Sequence, residues 1–292
     1  MIEGIITKGV GGFYYVKTES DIIECRARGI FREQNIPPLV GDKVLIRINP
    51  EDNTGYIEEV YERKTYLVRP PVANVTQAII VMSLKEPAIN LWLLDRFLVM
   101  AEYNRLNIHI CINKADLAKQ DDINSIMGMY DNAGYNILKT STKTMEGIEE
   151  LNNILANQIT VFAGPSGVGK SSLLNKINPG LKLKSGEVSK KTNRGKHTTR
   201  HVELFELGPN SFVLDTPGFS SLSLDFIEDP IELSFYFKEI NKYKYDCKFN
   251  GCLHYKEPDC EVKRQVQEGN ISSQRYDNYI QFLEEIINNR RF

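Results

Sequence analysis

The stretch Ile159-Thr160-Val161-Phe162-Ala163-Gly164-Pro165-Ser166-Gly167-Val168-Gly169-Lys170-Ser171-Ser172 decides the fold class of this chain. Its first part is apolar or β-branched and predicts a buried strand, and residues 164–171 match the pattern G-x-x-x-x-G-K-S/T in full. Residues 171–177 then predict a helix. Glycines let such a loop curl so that its N–H groups point at phosphates, and the helix N-terminus adds a positive dipole. The stretch therefore predicts an α/β domain that binds a nucleoside phosphate.

Two residues of this phosphate loop have specific chemical roles. We expect Lys170 to reach the β- and γ-phosphates as a catalytic residue, and the Ser171 hydroxyl to bind the Mg²⁺ that accompanies the nucleotide. The predicted nucleotide-binding residues here are Gly164, Pro165, Ser166, Gly167, Val168, Gly169, Lys170, Ser171 and Ser172.

The segment Asn113-Lys114-Ala115-Asp116 follows an apolar strand and predicts which base is bound. A carboxylate at Asp116 can accept hydrogen bonds from both N1–H and the exocyclic amine of guanine, a pairing that adenine does not offer. We expect Asn113 to contact the base edge and the Lys114 stem to lie along the purine face, so all four residues are predicted to bind GTP. Ser141 follows the next strand, where a loop would contact the guanine O6, although serine after a strand is also a common helix cap.

The segment Asp215-Thr216-Pro217-Gly218 follows the apolar strand Phe212-Val213-Leu214. Asp215 is expected to hold the Mg²⁺ shell through water, and the Gly218 amide to sense the γ-phosphate. The base-recognition element thus precedes the phosphate loop, whereas in an ordinary GTPase it comes last. The order of the motifs predicts a circularly permuted GTPase.

Residues 181–201 lie between the phosphate loop and Asp215, and they contain seven Lys/Arg and one Glu. They include Gly195-Lys196-His197-Thr198-Thr199 at the position of a first switch, where Thr198 and Thr199 are predicted to bind Mg²⁺. Because this segment is basic and has few apolar residues, we predict that it is disordered unless GTP or a partner is bound. The alternative is a solvated loop that has no partner. Phe219 stands where many GTPases use a glutamine to orient water, so we predict slow intrinsic hydrolysis. His197 is the candidate catalytic residue, unless it only contacts a partner or solvent.

The pattern Cys247-x₄-Cys252-x-His254-x₅-Cys260 places three thiolates and one imidazole within 14 residues. Soft sulfur and nitrogen ligands in this number favour structural Zn²⁺, since four protein ligands leave no open position for catalysis. Cysteines without a metal are the alternative. Cys25 and Cys111 are predicted to be buried apolar residues.

The remaining pattern predicts a multidomain α/β protein of 292 residues. Residues 1–68 show short alternating segments that favour a small β-barrel, and residues 64–74, with Pro70-Pro71, predict a linker. From Gln77, apolar strands alternate with amphipathic helices, which predicts a parallel sheet with helices on both faces. The predicted domains are the barrel over 1–68, the nucleotide domain over 69–222 and a helical zinc-binding domain over 223–292.

Composition excludes few functions. The chain is 41% hydrophobic and 25% charged with a net charge of −2, so the whole molecule carries no charge that indicates a nucleic-acid partner. No apolar run reaches the ~18 residues that a membrane span needs, and the N-terminus does not resemble a signal peptide. We therefore predict a cytoplasmic protein with no membrane partner.

Taken together, these motifs resemble the RsgA family, circularly permuted GTPases that act on the small ribosomal subunit in bacteria. The resemblance covers nearly the whole chain and implies an OB-fold for residues 1–68, structural zinc, and hydrolysis of GTP to GDP that the small subunit stimulates. It further implies a role in late maturation of the subunit, with ribosomal RNA as the main partner. One departure is Lys196, where the family pattern leads us to expect arginine; this keeps the charge but loses bidentate phosphate contact.

Several points stay open at this level. Residues 1–68 hold nine Lys/Arg and eleven Asp/Glu, so the charge of the barrel does not itself predict RNA binding. A GTP-gated RNA-binding module with incidental hydrolysis is the alternative function, and a small-molecule kinase is disfavoured by the Asn113–Asp116 element. The guanine pocket also makes (p)ppGpp a candidate ligand, and a monomer is expected. Since the second switch, from Asp215 onward, runs directly into the C-terminal segment, γ-phosphate sensing at Gly218 could reposition the zinc-binding domain as a lever.

Overall fold

The computed structural model describes residues 1–33, 36–68, 70–183, 202–214 and 222–290. The first element is a closed barrel with strand order β1-β2-β3-β5-β4. Alternate residues point inward, so that Val44 and Ile46 are fully buried. The strands are β1 Ile2–Val10, β2 Phe13–Lys17, β3 Ile22–Ala27, β4 Lys43–Ile48 and β5 Gly55–Val60, with the short helix α1 Ile30–Glu33 between β3 and β4. A five-stranded barrel of this order is OB-like, which confirms the prediction of a small barrel.

The segment expected to be a linker forms a two-stranded antiparallel hairpin instead, with β6 Tyr66–Val68 and β7 Pro71–Ala73. Pro71 begins β7, a position where a missing N–H costs the ladder little. Beside the hairpin, Arg63 binds both oxygens of the fully buried Asp42 at 2.7 and 2.8 Å.

The second sheet has six strands in the order β10-β9-β8-β11-β13-β12. The pairs β9–β10 and β11–β13 are parallel, while β12 joins β13 antiparallel, which the prediction of a parallel sheet did not include. The strands are β8 Gln77–Ser83, β9 Asn107–Asn113, β10 Asn136–Lys139, β11 Ile159–Ala163, β12 Leu204–Gly208 and β13 Ser211–Leu214. Helices α2 Leu91–Tyr103, α3 Gln120–Asn132, α4 Ile148–Leu155 and α5 Lys170–Ile177 connect or follow these strands.

The C-terminal region is helical, as predicted. It contains α6 Lys238–Tyr243, α7 Glu261–Gln267 and α8 Ser273–Asn289, and 3₁₀ turns at Pro230–Tyr236 and Lys244–Asp246. Helix α8 buries a stripe at helical spacing, Tyr279, Phe282, Leu283 and Ile286, in an apolar cluster that also contains Val99 of α2. Among the described residues, no helix is both long and apolar enough to span a bilayer.

The described residues form two compact units. One comprises the described residues within Met1–Ala78, Glu149–Phe162 and Lys170–Ser220, and the other comprises those within Ile79–Ile148, Ala163–Gly169 and Ser221–Phe292. The domain boundaries predicted from the sequence stay a prediction.

Candidate nucleotide and metal sites

The phosphate loop follows β11 and needs glycine at two positions. Gly164 has a φ of 135°, and a Cβ there would lie 2.1 Å from the carbonyl oxygen of Val81. Gly169 has a φ of 97°, and its Cβ would lie 2.4 Å from Nδ2 of Asn113. A side chain at either position would therefore collide with the neighbouring strand end, so the glycines permit the tight curl that a phosphate cradle requires.

Asn113 joins the base-recognition element to the phosphate loop. It is 1% exposed, its Nδ2 donates to the carbonyl of Val168 at 2.8 Å, and its Oδ1 accepts from the Thr140 hydroxyl at 3.0 Å. The amide is thus occupied within the protein, which gives it a positioning role. Its predicted contact with the base edge stays a prediction.

Asp116 lies in the short 3₁₀ turn Ala115–Leu117 after β9, and its carboxylate is held by Ser141. The Ser141 hydroxyl donates to Asp116 Oδ1 at 2.6 Å and accepts from the backbone N–H groups of Lys143 and Thr144 at 3.2 Å each. The sequence placed Ser141 near the base through its loop backbone; the structure adds a side-chain contact that fixes the carboxylate of Asp116. Lys114 is left-handed and donates from Nζ to the carbonyl of Glu86.

Lys170 begins α5 and is 5% exposed. Burial lowers the pKa of Lys170 to about 8, because the charged ammonium loses water. A bound polyphosphate would supply the opposite charge and favour the ammonium form. Ser171 is also buried, at 6% exposed, whereas Ser172 faces solvent.

The other predicted residues of the nucleotide site are outside the part of the chain that the structure describes. These are the catalytic candidate His197, the Mg²⁺ candidates Thr198, Thr199 and Asp215, and the γ-phosphate sensor Gly218. Lys196 and Phe219 lie outside it too.

The four metal-ligand candidates of the C-terminal region come together. Their ligand atoms all lie within 4.8 Å of one another, so Cys247, Cys252, His254 and Cys260 could hold a metal ion. His254 Nδ1 is 3.5 Å from the sulfur of Cys247 and 3.4 Å from that of Cys260, and the two sulfurs are 3.8 Å apart. A tetrahedron with zinc bond lengths has edges of about 3.8 Å between sulfurs and about 3.6 Å between sulfur and nitrogen. His254 Nδ1 and the sulfurs of Cys247 and Cys260 therefore have the spacing of three ligands of such an ion, and the Cys252 sulfur lies within 4.8 Å of all three.

Burial shifts the pKa values of Cys252, His254 and Cys260 before a metal binds. It raises the pKa of Cys252 to about 12 and also raises the pKa of Cys260, whereas it lowers the pKa of His254 to about 4. The imidazole is consequently neutral at pH 7, as a ligand must be, and the two thiols must release protons to a bound cation. Metal affinity is therefore expected to rise with pH.

Comparison with known proteins gives a consistent result. The family model described as RsgA GTPase matches residues 60–225, and that of the RsgA N-terminal domain matches residues 3–57. A protein of Alkaliphilus metalliredigens named "Small ribosomal subunit biogenesis GTPase RsgA" is 46% identical over 100% of both chains. A protein of Clostridium perfringens with the same name is 49% identical over 99% of both chains.

Two solved structures also resemble the chain. The crystal structure of YloQ, described as a circularly permuted GTPase, has 42% identity and a TM-score of 0.82, and the match covers 99% of this chain and 96% of that one. The crystal structure of YjeQ from Thermotoga maritima has 40% identity and a TM-score of 0.85, with 98% of each chain covered. These matches confirm the permuted nucleotide fold that the motif order predicted.

Proposed function

Because this chain belongs to the RsgA GTPase family, we propose that it binds the small ribosomal subunit and assists late maturation of that subunit in the cytoplasm. The subunit stimulates the chain to hydrolyse GTP to GDP and phosphate. The role at the small subunit is supported by the relatives' names, and GTP binding is supported most directly by the 2.8 Å hydrogen bond from Asn113 to Val168, which holds a guanine-recognition element against a phosphate loop. The chain works as a monomer, and (p)ppGpp competes for the same guanine pocket.

The roles of the site residues follow from their chemistry. Asp116 pairs with the guanine edge, the loop Gly164–Gly169 surrounds the phosphates, and Lys170 neutralises the charge that develops on them. Mg²⁺ comes with GTP and is bound by Ser171, Thr198, Thr199 and Asp215. Gly218 senses the γ-phosphate.

The metal of the C-terminal region is one structural Zn²⁺. Three sulfurs and one imidazole nitrogen are the soft donors that zinc prefers, and four protein ligands complete its tetrahedron. When bound, the ion cross-links the loop of Cys247 and Cys252 to the start of α7 after Cys260. This stabilises residues 247–260, which lie outside helices and strands.

Ribosomal RNA binds in part to a lysine and aromatic surface, defined here as the half-buried Lys244 and the exposed rings of Phe235 and Tyr245. Lys244 Nζ donates to the Ser234 hydroxyl at 3.3 Å and lies 2.8 Å from the ring centroid of Phe235 and 5.1 Å from that of Tyr245. The two aromatic residues are 46% and 75% exposed. Exposed rings stack on unpaired bases and lysines contact phosphates, so this surface has both groups that single-stranded RNA needs.

The function is tested by measuring GTP hydrolysis with and without purified small ribosomal subunits in one buffer that contains Mg²⁺. We expect a large acceleration by small subunits and none by large subunits, with Lys170→Ala as the inactive control. Absence of acceleration while GTP still binds would contradict the proposal and favour the GTP-gated RNA-binding module.

His197→Ala is expected to lower the subunit-stimulated rate about 100-fold, because a group that orients or accepts a proton typically contributes at least that much. GTP affinity should not change, since the guanine and phosphate contacts remain. His201→Ala, in the same basic segment, is the matched control and should hydrolyse GTP normally. Wild-type stimulation in His197→Ala would exclude the catalytic role.

Tyr245→Ala is expected to weaken binding to small subunits about 5- to 100-fold, the range for the loss of one stacked base. Basal GTP hydrolysis should stay at the wild-type rate. The control is Tyr66→Ala, because Tyr66 is 49% exposed on the β6–β7 hairpin and outside the lysine and aromatic surface. Co-sedimentation with subunits at several salt concentrations measures both variants. Equal losses in the two would argue against a specific surface.

A further inference from the structure

The loop that carries His254 has an unusual backbone. His254 adopts a φ of 56°, in the left-handed region that residues with a Cβ rarely occupy. The residue lies outside regular secondary structure, so neighbouring groups must hold this conformation. The conformation matters because it directs Nδ1 towards the sulfurs of Cys247 and Cys260.

The carboxylate of Glu257 accepts hydrogen bonds from the backbone on both sides of His254. Its Oε1 accepts from the backbone N–H of Leu253 at 2.8 Å, and its Oε2 accepts from the backbone N–H of Tyr255 at 2.9 Å. One side chain thus fixes the residues before and after the ligand. Partial burial of Glu257 opposes ionisation, yet these N–H groups lower its pKa, so it stays a carboxylate at neutral pH.

The carbonyl groups of the same loop are held from α7 and α8. Tyr279 donates its hydroxyl to the carbonyl of Leu253 at 2.9 Å, and Tyr276 donates to that of His254 at 2.7 Å. Lys263 donates to the carbonyl of Tyr255 at 3.4 Å. The two tyrosines and the lysine thus hold the three carbonyl groups of the loop. The N–H groups of the residues before and after His254 are held by Glu257.

We infer that Glu257 is a positioning residue for the metal site: it binds no metal itself, but it holds the left-handed backbone at His254 so that the imidazole meets the thiols. A carboxylate is required because two oxygens on one carbon can accept from two N–H groups at once. A carboxamide keeps one acceptor, and alanine keeps none. This inference rests on the proposed metal site and adds a residue that the Cys-x₄-Cys-x-His-x₅-Cys pattern does not contain.

The test measures zinc affinity of the full-length chain by competition with a chromogenic chelator. Glu257→Ala is expected to bind zinc about 10- to 100-fold more weakly, as is typical when a residue that orients a metal ligand is removed. Glu257→Gln should lose less, since it keeps one acceptor. Glu284→Gln is the matched control: the carboxylate of Glu284 accepts from the side-chain hydroxyl of Tyr255 but from no backbone group of the loop. It should bind zinc as the wild type does.

A second readout separates positioning from general destabilisation. With Co²⁺ in place of zinc, the visible absorption of wild type should show tetrahedral sulfur and nitrogen ligation, and Glu257→Gln should show an altered band even at saturating Co²⁺. If both Glu257 variants bind zinc and give the wild-type Co²⁺ spectrum, the inference is wrong. A wild-type chain that binds no metal would overturn the metal site itself, which is a different result.

Discussion

Asp116→Asn is expected to lower the affinity for GTP about 1,000-fold and to create binding of xanthosine triphosphate. The carboxylate can accept two hydrogen bonds from guanine, and bonds to a charged group each contribute about 1.5–3 kcal/mol. Losing both approaches 4 kcal/mol, which corresponds to about three orders of magnitude in the dissociation constant. The substitution is small enough to leave the fold unchanged.

The reversal of base preference follows from the contact with Ser141. The Ser141 hydroxyl donates to Oδ1 of Asp116 at 2.6 Å, and an asparagine at this position can satisfy that donor with its own carbonyl oxygen. Its NH₂ group then faces the base. This NH₂ repels the N1–H and amine of guanine but can donate to the C2 oxygen of xanthine. The structure therefore predicts exchanged specificity rather than simple loss of binding.

Calorimetric titration with GTP and xanthosine triphosphate checks this result in wild type and variant. Asp121→Asn is the control. Asp121 lies exposed in the first turn of α3, so this substitution makes the same chemical change away from the site. Unchanged GTP affinity in Asp116→Asn would refute guanine recognition by this residue.

Local sequence patterns predicted the parts of the site that depend on local geometry. The phosphate loop, the Asn113–Asp116 element and the cysteine cluster each carry their chemistry within a short stretch, and each follows or begins an element that periodicity reveals. Contacts between distant residues were not predictable in this way. Asn113 binds the carbonyl of Val168, a main-chain group that every residue has, so no side-chain pattern marks the pair.

The same limit explains the errors in the fold. The hairpin β6–β7 contains Pro71, which suggested a linker, because the sequence does not show that Pro71 begins its strand on a two-stranded ribbon. Strand β12 is antiparallel because it returns directly beside β13, and alternation of apolar residues does not encode direction. Glu257 is one of many acidic residues, and only the folded loop shows that its two oxygens reach N–H groups on both sides of His254.

The lever hypothesis must account for two arginines of the unit that contains both α2 and α8. Arg96 of α2 donates Nε to the carbonyl of Leu222 and binds both oxygens of Glu285 of α8 at 2.6 Å. Leu222 follows directly on the segment that contains Gly218. The guanidinium therefore joins α2 to α8 and to the backbone at Leu222, so α8 can move relative to α2 only if these contacts break.

The second arginine is Arg275 of α8, which is 1% exposed and binds two buried carboxylates. Its Nε and Nη2 donate to Glu239 of α6 at 2.5 and 3.0 Å, and its Nη1 donates to Asp95 of α2. Asp95 also accepts from Asn278 at 2.7 Å and from the Tyr130 hydroxyl at 2.9 Å. The network connects four helices, α2, α3, α6 and α8, and both oxygens of Asp95 have a partner.

Arg275→Met is expected to lower the free energy of unfolding of this unit by about 3–5 kcal/mol. Methionine fills a similar volume, so the main cost is that two carboxylates stay buried without their cation. In the wild type, burial raises the pKa of Asp95 and the charge of Arg275 lowers it. The variant lacks the guanidinium, so the pKa of Asp95 should rise further. A raised pKa in the folded state means that stability is lost as the pH rises through it, so the deficit should grow as the pH rises above the usual pKa of an aspartate.

Urea unfolding followed by tryptophan fluorescence measures this effect, because Trp92 is the one tryptophan of the chain. The centroid of its ring lies 5.3 Å from that of Phe282 of α8. It reports the packing of α2 against α8 directly. Arg264→Met is the matched control: Arg264 also binds two acids, Glu261 and Glu268, but its side chain is 58% exposed. Water can solvate its partners when it is removed, so the urea midpoint should hardly change. If Arg275→Met unfolds as late as Arg264→Met, or if its deficit grows as the pH falls, then the buried carboxylates do not depend on Arg275, and α8 is held to α2 by the apolar cluster and the Arg96–Glu285 pair.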